Sequence, residues 1–274
     1  MKKLALFLCS VLVVGTTASA KEMVVESTNS KEVMVEPVVM EEIVIVPVAA
    51  TPWGYVEVGA GWDFWSEYGT ETFTKNPDAG GGPVRITEPH SVKLSKDTDE
   101  SGYEVKIEMY KSWDNFDLGL GLAYQDHAKR DSNSYHFENV GRVSAQYTDV
   151  HVSGGEYKSM PIYLTGKYRI NYWNWEVVPY LKANVGYSFN FDEKDIHVNT
   201  TANGGPHRLS TSVDDGWYWA AGIGMEYKNF TMDVMYGINY ADMDWKGPND
   251  GQSGSFSNDY ERVTLSVGYK FNIW

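Results

Sequence analysis

From Trp53 onward the chain alternates apolar and polar residues with a period of two, the pattern of a strand with two unlike faces. Eight segments carry it. Residues 53–64 place Val56, Val58, Ala60, Trp62 and Phe64 on one face; 103–110 place Tyr103, Val105, Ile107 and Met109; 116–125 place Phe116, Leu118, Leu120, Leu122 and Tyr124. Residues 160–170 place Ile162, Leu164 and Tyr168; 175–190 place Val177, Leu181, Ala183, Val185, Tyr187 and Phe189. Residues 217–227 place Trp219, Ala221, Ile223 and Met225; 230–240 place Met232, Val234, Tyr236 and Ile238; 263–273 place Leu265, Val267, Tyr269 and Phe271. None of these positions is charged. The opposite faces mix glycines, among them Gly59, Gly61, Gly119, Gly121, Gly186, Gly222 and Gly224, with acidic and basic residues.

Alternation alone allows a soluble barrel with its apolar face inside or a membrane barrel with its apolar face in lipid. Three features favour the second. The connections alternate between short (112–115, 171–174, 228–229) and long (65–102, 126–159, 191–216, 241–262), as the periplasmic turns and external loops of an outer-membrane barrel do. The tryptophans fall at strand ends: Trp53, Trp113, Trp173, Trp175 and Trp274 at one rim, Trp62, Trp65, Trp217, Trp219 and Trp245 at the other, an expected aromatic girdle. The polar face carries the small residues and paired charges that suit the narrow interior of eight strands. The predicted fold is therefore all-β: a transmembrane antiparallel up-and-down barrel of eight strands with long extracellular loops. A hairpin over 136–152 either adds two strands or extends the wall above the membrane.

The N-terminus differs. Lys2 and Lys3, the apolar run 4–14 and Ala18-Ser19-Ala20 read as a signal peptide over 1–20. Residues 21–51 lack aromatics and glycine and repeat a Val/Glu pattern every ten residues, punctuated by Pro37 and Pro47. Two readings are open: a flexible acidic periplasmic tether, or a strand that adds to a partner's sheet edge. The barrel domain is placed at 52–274. Cys9, the only cysteine, lies in the leader, so no disulfide or thiolate site is expected in the exported chain. Without the leader, 21 basic side chains face 37 acidic ones, a net charge of −16, which argues against nucleic acid as a partner.

The signal peptide, the alternating strands and the Trp-rich rims resemble the small outer-membrane barrels, the OmpA-like transmembrane domain and its OmpW-like relatives. The segment Val178-Pro179-Tyr180-Leu181-Lys182-Ala183-Asn184-Val185-Gly186-Tyr187 is similar to the central strand of that group. Residues 263–274 are similar to the C-terminal signal read by the barrel-assembly machinery, with Trp274 one position off the apolar parity. The resemblance implies an outer-membrane location, contact with outer-membrane lipid, and the assembly machinery as a partner in biogenesis. The peptidoglycan-binding domain that often follows such barrels is not expected after Trp274.

The best-defined candidate site is a lumen ion-pair network of Glu57, Glu104, Lys106, Glu108, Lys167, Lys182, Asp233 and Lys270, joined by Asp63, Asp117, Glu176, Glu226, Arg169 and Arg262. Buried charges must pair, and an eight-stranded lumen leaves little free space, so a plug is expected. Contact is predicted among Glu57, Lys106 and Lys270, at similar depth on adjacent strands. All six histidines fall in the long connections, where solvated rings are expected; Asp126-His127 is the one local acid–base pair. The glycine clusters at 78–83 and 203–206 read as turns, since no helix follows them. No catalytic motif, metal site or cofactor is predicted. The expected role is a plugged structural and surface-interaction protein, adhesin-like, with a surface or periplasmic protein partner. A narrow porin-like channel and a lipid-modifying enzyme are the alternatives.

Overall fold

A computed structural model of the chain describes residues 53–75, 90–140, 145–171, 176–200, 207–247 and 253–273. The leader, the 21–51 segment, both glycine clusters, Trp173, Trp175 and Trp274 lie outside them. In chain order the strands are β1 (Gly54–Tyr68), β2 (Thr72–Lys75), β3 (His90–Lys93), β4 (Tyr103–Ser112), β5 (Phe116–Asp126), β6 (Asn133–Val140), β7 (Ala145–Ser153), β8 (Lys158–Arg169), β9 (Val177–Phe191), β10 (Ile196–Thr200), β11 (His207–Val213), β12 (Gly216–Tyr227), β13 (Phe230–Asn239), β14 (Asp242–Lys246), β15 (Ser253–Ser257) and β16 (Tyr260–Ile273).

Eight of them close an antiparallel barrel in the order β1-β16-β13-β12-β9-β8-β5-β4. Every chain neighbour pairs with the next, and β16 returns to β1, so no edge remains in the wall. The alternation of sequence becomes an alternation of exposure. On β4 and β5 the apolar residues of one parity face out, and the residues of the other parity, except the half-buried terminal Ser112, are buried. Leu120 and Ile223 are both 63% exposed in a ring of outward Val, Ile, Leu, Met and Phe side chains, while Glu57, Glu108 and Lys167 are fully buried inside. Water would not tolerate that outer ring; hydrocarbon does. Among the described residues no helix is long and apolar enough to cross a membrane.

The long connections hold more order than the sequence reading gave them. A six-stranded sheet, β15-β14-β11-β10-β7-β6, and the separate hairpin β2-β3 rise from one end of the barrel. The candidate extra hairpin becomes β6-β7 within that sheet, and the barrel keeps eight strands. Both barrel ends of the chain lie at the short-turn side, so this region is extracellular. Its core holds Leu94, Val152, Tyr157, Ile196, Met243, Phe256 and Tyr260, with polar residues outside.

Two local breaks shape the wall. A bulge in β1 leaves Phe64 without a partner between Asp63↔Thr264 and Trp65↔Val263. Phe64 and Trp65 are then both exposed, and Ser66 and Tyr68 turn inward. Between β5 and β8 the pairing skips from Leu122↔Ile162 to Gln125↔Ser159, beside Pro161, which has no N–H to donate.

Candidate functional site

The inward faces of the barrel strands meet across the axis. At the periplasmic end the Tyr55 and Tyr110 rings stack with centroids 4.9 Å apart, and Tyr55 Oη donates to Asp117 Oδ2 at 3.0 Å. Arg169 pairs with Asp117 at 2.9 Å, and Lys270 pairs with Glu226. In the middle, Glu57 pairs with Lys167 and accepts from Thr231 Oγ1 at 3.0 Å. Glu108 accepts from Lys182 Nζ at 2.7 Å, Tyr163 Oη at 2.9 Å and Tyr110 Oη at 3.0 Å. Asp233 lies 3.1 Å from Lys106 Nζ and 3.5 Å from Lys182 Nζ, and Tyr180 Oη donates to it. Higher up, Arg262 donates to Glu104 at 2.8 Å, while Asp63 accepts from Thr264 at 2.6 Å and Tyr260 at 2.9 Å.

These pairings explain the composition of the inner face. Among the described residues every long cation of the barrel's inner wall reaches a carboxylate on another strand, so no lysine or arginine there is buried alone. The glycines give the inner tyrosines room. Tyr163 is directly opposite Gly121 on β5 and Gly186 on β9, and a Cβ at either glycine would collide with it. Tyr110 stands in the same relation to Gly119, and Tyr180 to Gly224.

Three expected placements fail. No ion pair or hydrogen bond joins any two of Glu57, Lys106 and Lys270, although Glu57 and Lys270 are paired in register. Long side chains on the inner wall of a narrow barrel extend toward the axis, so they meet partners across the lumen sooner than their neighbours along the wall. Glu176 is exposed in the bend before β9, outside the lumen. Trp53, Trp62, Trp65, Trp113 and Trp217 are exposed near the two rims, and Trp219 is half-buried against Tyr236, with its Nε1 donating to Tyr240 Oη at 3.4 Å. Trp245 is no rim residue: it sits on β14, edge-on to Phe73 at 5.4 Å in the extracellular region.

Above the ion pairs lies a buried uncharged layer that the sequence reading missed. Asn239 Nδ2 donates to Gln125 Oε1 at 2.9 Å and is 3.1 Å from Ser159 Oγ and Ser188 Oγ. Ser159 Oγ lies 2.8 Å from His127 Nε2. Asp126 and His127 diverge: Asp126 turns outward to Tyr103 Oη and Lys158, whereas His127 is buried. His127 continues the inward parity of Asp117, Gly119, Gly121, Ala123 and Gln125, and that signal was present in the sequence. Burial, and secondarily Arg262, hold its imidazole well below the usual histidine range.

A hydrophobic cap closes the top. His127 packs against Tyr260 and Tyr157, with ring centroids 4.0 and 4.8 Å away. Arg130 lies over the Tyr68 ring at 4.4 Å, donates to Gly69 O at 2.8 Å and Ser95 O at 2.5 Å, and also bonds Asn258. Burial pulls its guanidinium down to about 10, which leaves it charged at neutral pH. Tyr68 Oη donates to Ala128 O at 2.8 Å, and Ala128 N donates to Tyr260 Oη at 3.1 Å. The segment from His127 to Arg130 thus ties β1, β16 and the extracellular connections together.

The remaining histidines lie in the extracellular region. His136 pairs with Asp149 at 2.6 Å, and His151 Nδ1 is 3.0 Å from Ser134 Oγ, all on the outward face of β6 and β7. Among the described residues no cluster of three or more His, Cys, Asp or Glu side chains could hold a metal.

No protein-family model matches the chain. It is similar to the uncharacterized protein PM1543 of Pasteurella multocida (strain Pm70), at 26% identity over 196 residues covering 66% of this chain and 80% of that one. Among solved structures it is similar to the outer membrane protein OprG from Pseudomonas aeruginosa, at 18% identity over 81% of this chain and 98% of that one, with a TM-score of 0.41. It is also similar to Neisserial surface protein A, at 15% identity over 80% and 97%, with a TM-score of 0.35. The chain's own geometry decides the architecture: a closed eight-stranded antiparallel wall with an apolar exterior and a charge-filled interior makes it a small outer-membrane β-barrel.

Proposed function

We propose that the barrel is a closed membrane anchor and that the extracellular β-region is the working part, a surface for contact with a protein or cell outside. The observation that carries this is the stacking of two plugs in one lumen. The ion pairs from Lys270–Glu226 up to Arg262–Glu104 fill the membrane zone, and the Tyr68, Tyr157 and Tyr260 cap lies over them. A solute would have to break several buried charge pairs, each costing several kcal/mol to separate. The outward face of the sheet, with Ser134, His136, Asp149, His151, His197, Asn199 and Arg208, is polar and accessible. The leader, the 21–51 tether, the assembly machinery and outer-membrane lipid belong to the same proposal. The lipid-modifying alternative loses its one candidate pair, since Asp126 and His127 face opposite ways.

A narrow pore is the second reading. Asn184 Oδ1, Arg262 Nη1 and Ser266 Oγ are buried without a hydrogen-bond partner among the described residues, and such atoms attract water. Planar-bilayer recording of the purified protein at neutral pH separates the two. The anchor gives a flat baseline. Steady open currents that change in Lys106→Met would establish the pore and sink the anchor.

A further inference from the structure

His127 stands where the two plugs meet, and its surroundings suit only the neutral ring. It is 5% exposed and follows directly on the last residue of β5. Its Nε2 contacts Ser159 Oγ at 2.8 Å; its Nδ1 has no hydrogen-bond partner among the described residues. Ser159 also donates to Gln125 Oε1 at 3.0 Å and accepts from Asn239 Nδ2 at 3.1 Å. With the Ser159 proton on Gln125 Oε1, the proton of the neutral ring lies on Nε2 and Nδ1 is a bare buried lone pair. A second proton would create an N–H with no acceptor and a charge with no carboxylate against it.

Most charged and titratable groups around the ring are held by other partners; Glu156, beside Tyr157, acts on Arg130 and Tyr68 and has a buried Oε2 with no hydrogen-bond partner among the described residues. From β1, Asp63 accepts from Tyr260 and Thr264 and lies 4.0 Å from Arg262, and Tyr68 donates to Ala128 O. From β16, Tyr260 packs on the ring and Arg262 donates to Glu104 of β4. Tyr157, just before β8, packs on the other side, and Arg130 of the same strap is held by Gly69, Ser95 and Asn258. The tyrosine rings would attract an imidazolium. Neither ring supplies a counter-ion, and the site is shared with the Arg262 cation.

We propose that His127 is a proton-operated latch on the cap: neutral, it holds the 127–131 strap down on the barrel mouth; in acid, it releases it. The direction follows from linkage. The open form takes up a proton near the ordinary histidine value of 6.5, whereas the closed form resists it. Stability of the closed cap is therefore full above about pH 6.5 and falls below it, with the opening equilibrium rising roughly ten-fold per pH unit. The ion pairs beneath do not include His127, so release frees the strap and its connections without opening the lumen.

Amide hydrogen exchange of the whole protein in lipid nanodiscs tests this between pH 7.5 and 5, after correction for intrinsic exchange rates. Amides of the 127–131 strap and of Gly155 to Tyr157 are expected to lose protection roughly ten-fold per unit below 6.5, while β4 and β5 amides do not. In His127→Gln, which keeps a polar contact to Ser159 and cannot be protonated, the same amides are expected to show a flat profile. Equal protection of the native strap at pH 5 and 7.5, or the same acid response in His127→Gln, overturns the proposal. Imidazole NMR of the native protein guards against a variant that fails to fold. Under the proposal His127 stays neutral until the strap opens; a ring that titrates near 6.5 with strap protection unchanged also overturns it.

Discussion

The membrane wall and the extracellular sheet are built from the same period-two alternation with opposite outcomes. On β5, Leu118, Leu120 and Leu122 face outward and Asp117, Gly119 and Gly121 face inward. On β10, Ile196 is buried inside and His197 and Asn199 are exposed outside. The pattern fixes that a strand has two faces; the solvent outside decides which becomes the core. Lipid takes the apolar face in the wall and leaves the interior to be neutralised by pairing. Water takes the polar face above and leaves the interior to hydrophobic packing. The change falls over a few residues, at the β1 bulge and the Gln125, Ser159 and Asn239 layer, where neither charge nor hydrocarbon fills the lumen.

That contrast can be broken from either side. The largest effect is expected in the wall. Lys182→Met leaves Glu108 without its cation in a buried site, while Asp233 keeps Lys106 at 3.1 Å, and urea titration of the protein in detergent should show a loss of about 3–5 kcal/mol. Adding Glu108→Met should recover part of that loss, because pairing is what the site requires. The cap should respond to volume instead. Ile196→Ala is expected to cost about 2–5 kcal/mol, since a cavity forms in the extracellular core. Ile107→Ala on the lipid face removes the same atoms, but lipid fills the space, so only the transfer cost of about 2 kcal/mol should appear. A further contrast concerns outward positions. Leu120→Lys in the belt should cost about 2–4 kcal/mol. Asn199→Lys, also outward but in water, should change stability by no more than about 0.5 kcal/mol. Equal costs at Leu120 and Asn199 would erase the distinction between the two regions.

The barrel was legible in the sequence because each of its strands keeps one uncharged parity for several residues, enough to survive a one-residue error at an end. The extracellular strands are shorter. Their outer faces carry Ser, His and Asn, and their inner faces hold only one or two described apolar side chains each, such as Phe256 on β15 or Val150 and Val152 on β7, so they read as loop. Parity does not carry past a backbone shift: beyond the bulge at Phe64, Tyr68 turns inward. The members of the lumen network could be listed from parity, Glu176 excepted, but their partners could not. Partner choice depends on strand register and on reach across the axis, and neither is local. His127 was misplaced because a residue beyond a strand end was assigned to solvent, although its parity pointed inward.

The chain passes from β9 of the barrel into β10 of the extracellular sheet across residues 192–195, so the central claim can be tested along one stretch of sequence. Apart from Cys9 in the predicted leader the sequence has no cysteine, so single cysteines can be introduced and spin-labelled at Leu181, Val185, Phe189, His197 and Asn199. Accessibility to dissolved oxygen, which concentrates in lipid, is then compared with accessibility to a water-soluble nickel chelate. The inversion predicts oxygen-dominated collisions at Leu181, Val185 and Phe189 and nickel-dominated collisions at His197 and Asn199. Nickel access at Leu181 and Val185, matching that at Asn199, would mean the apolar face does not lie in lipid, and would contradict the account.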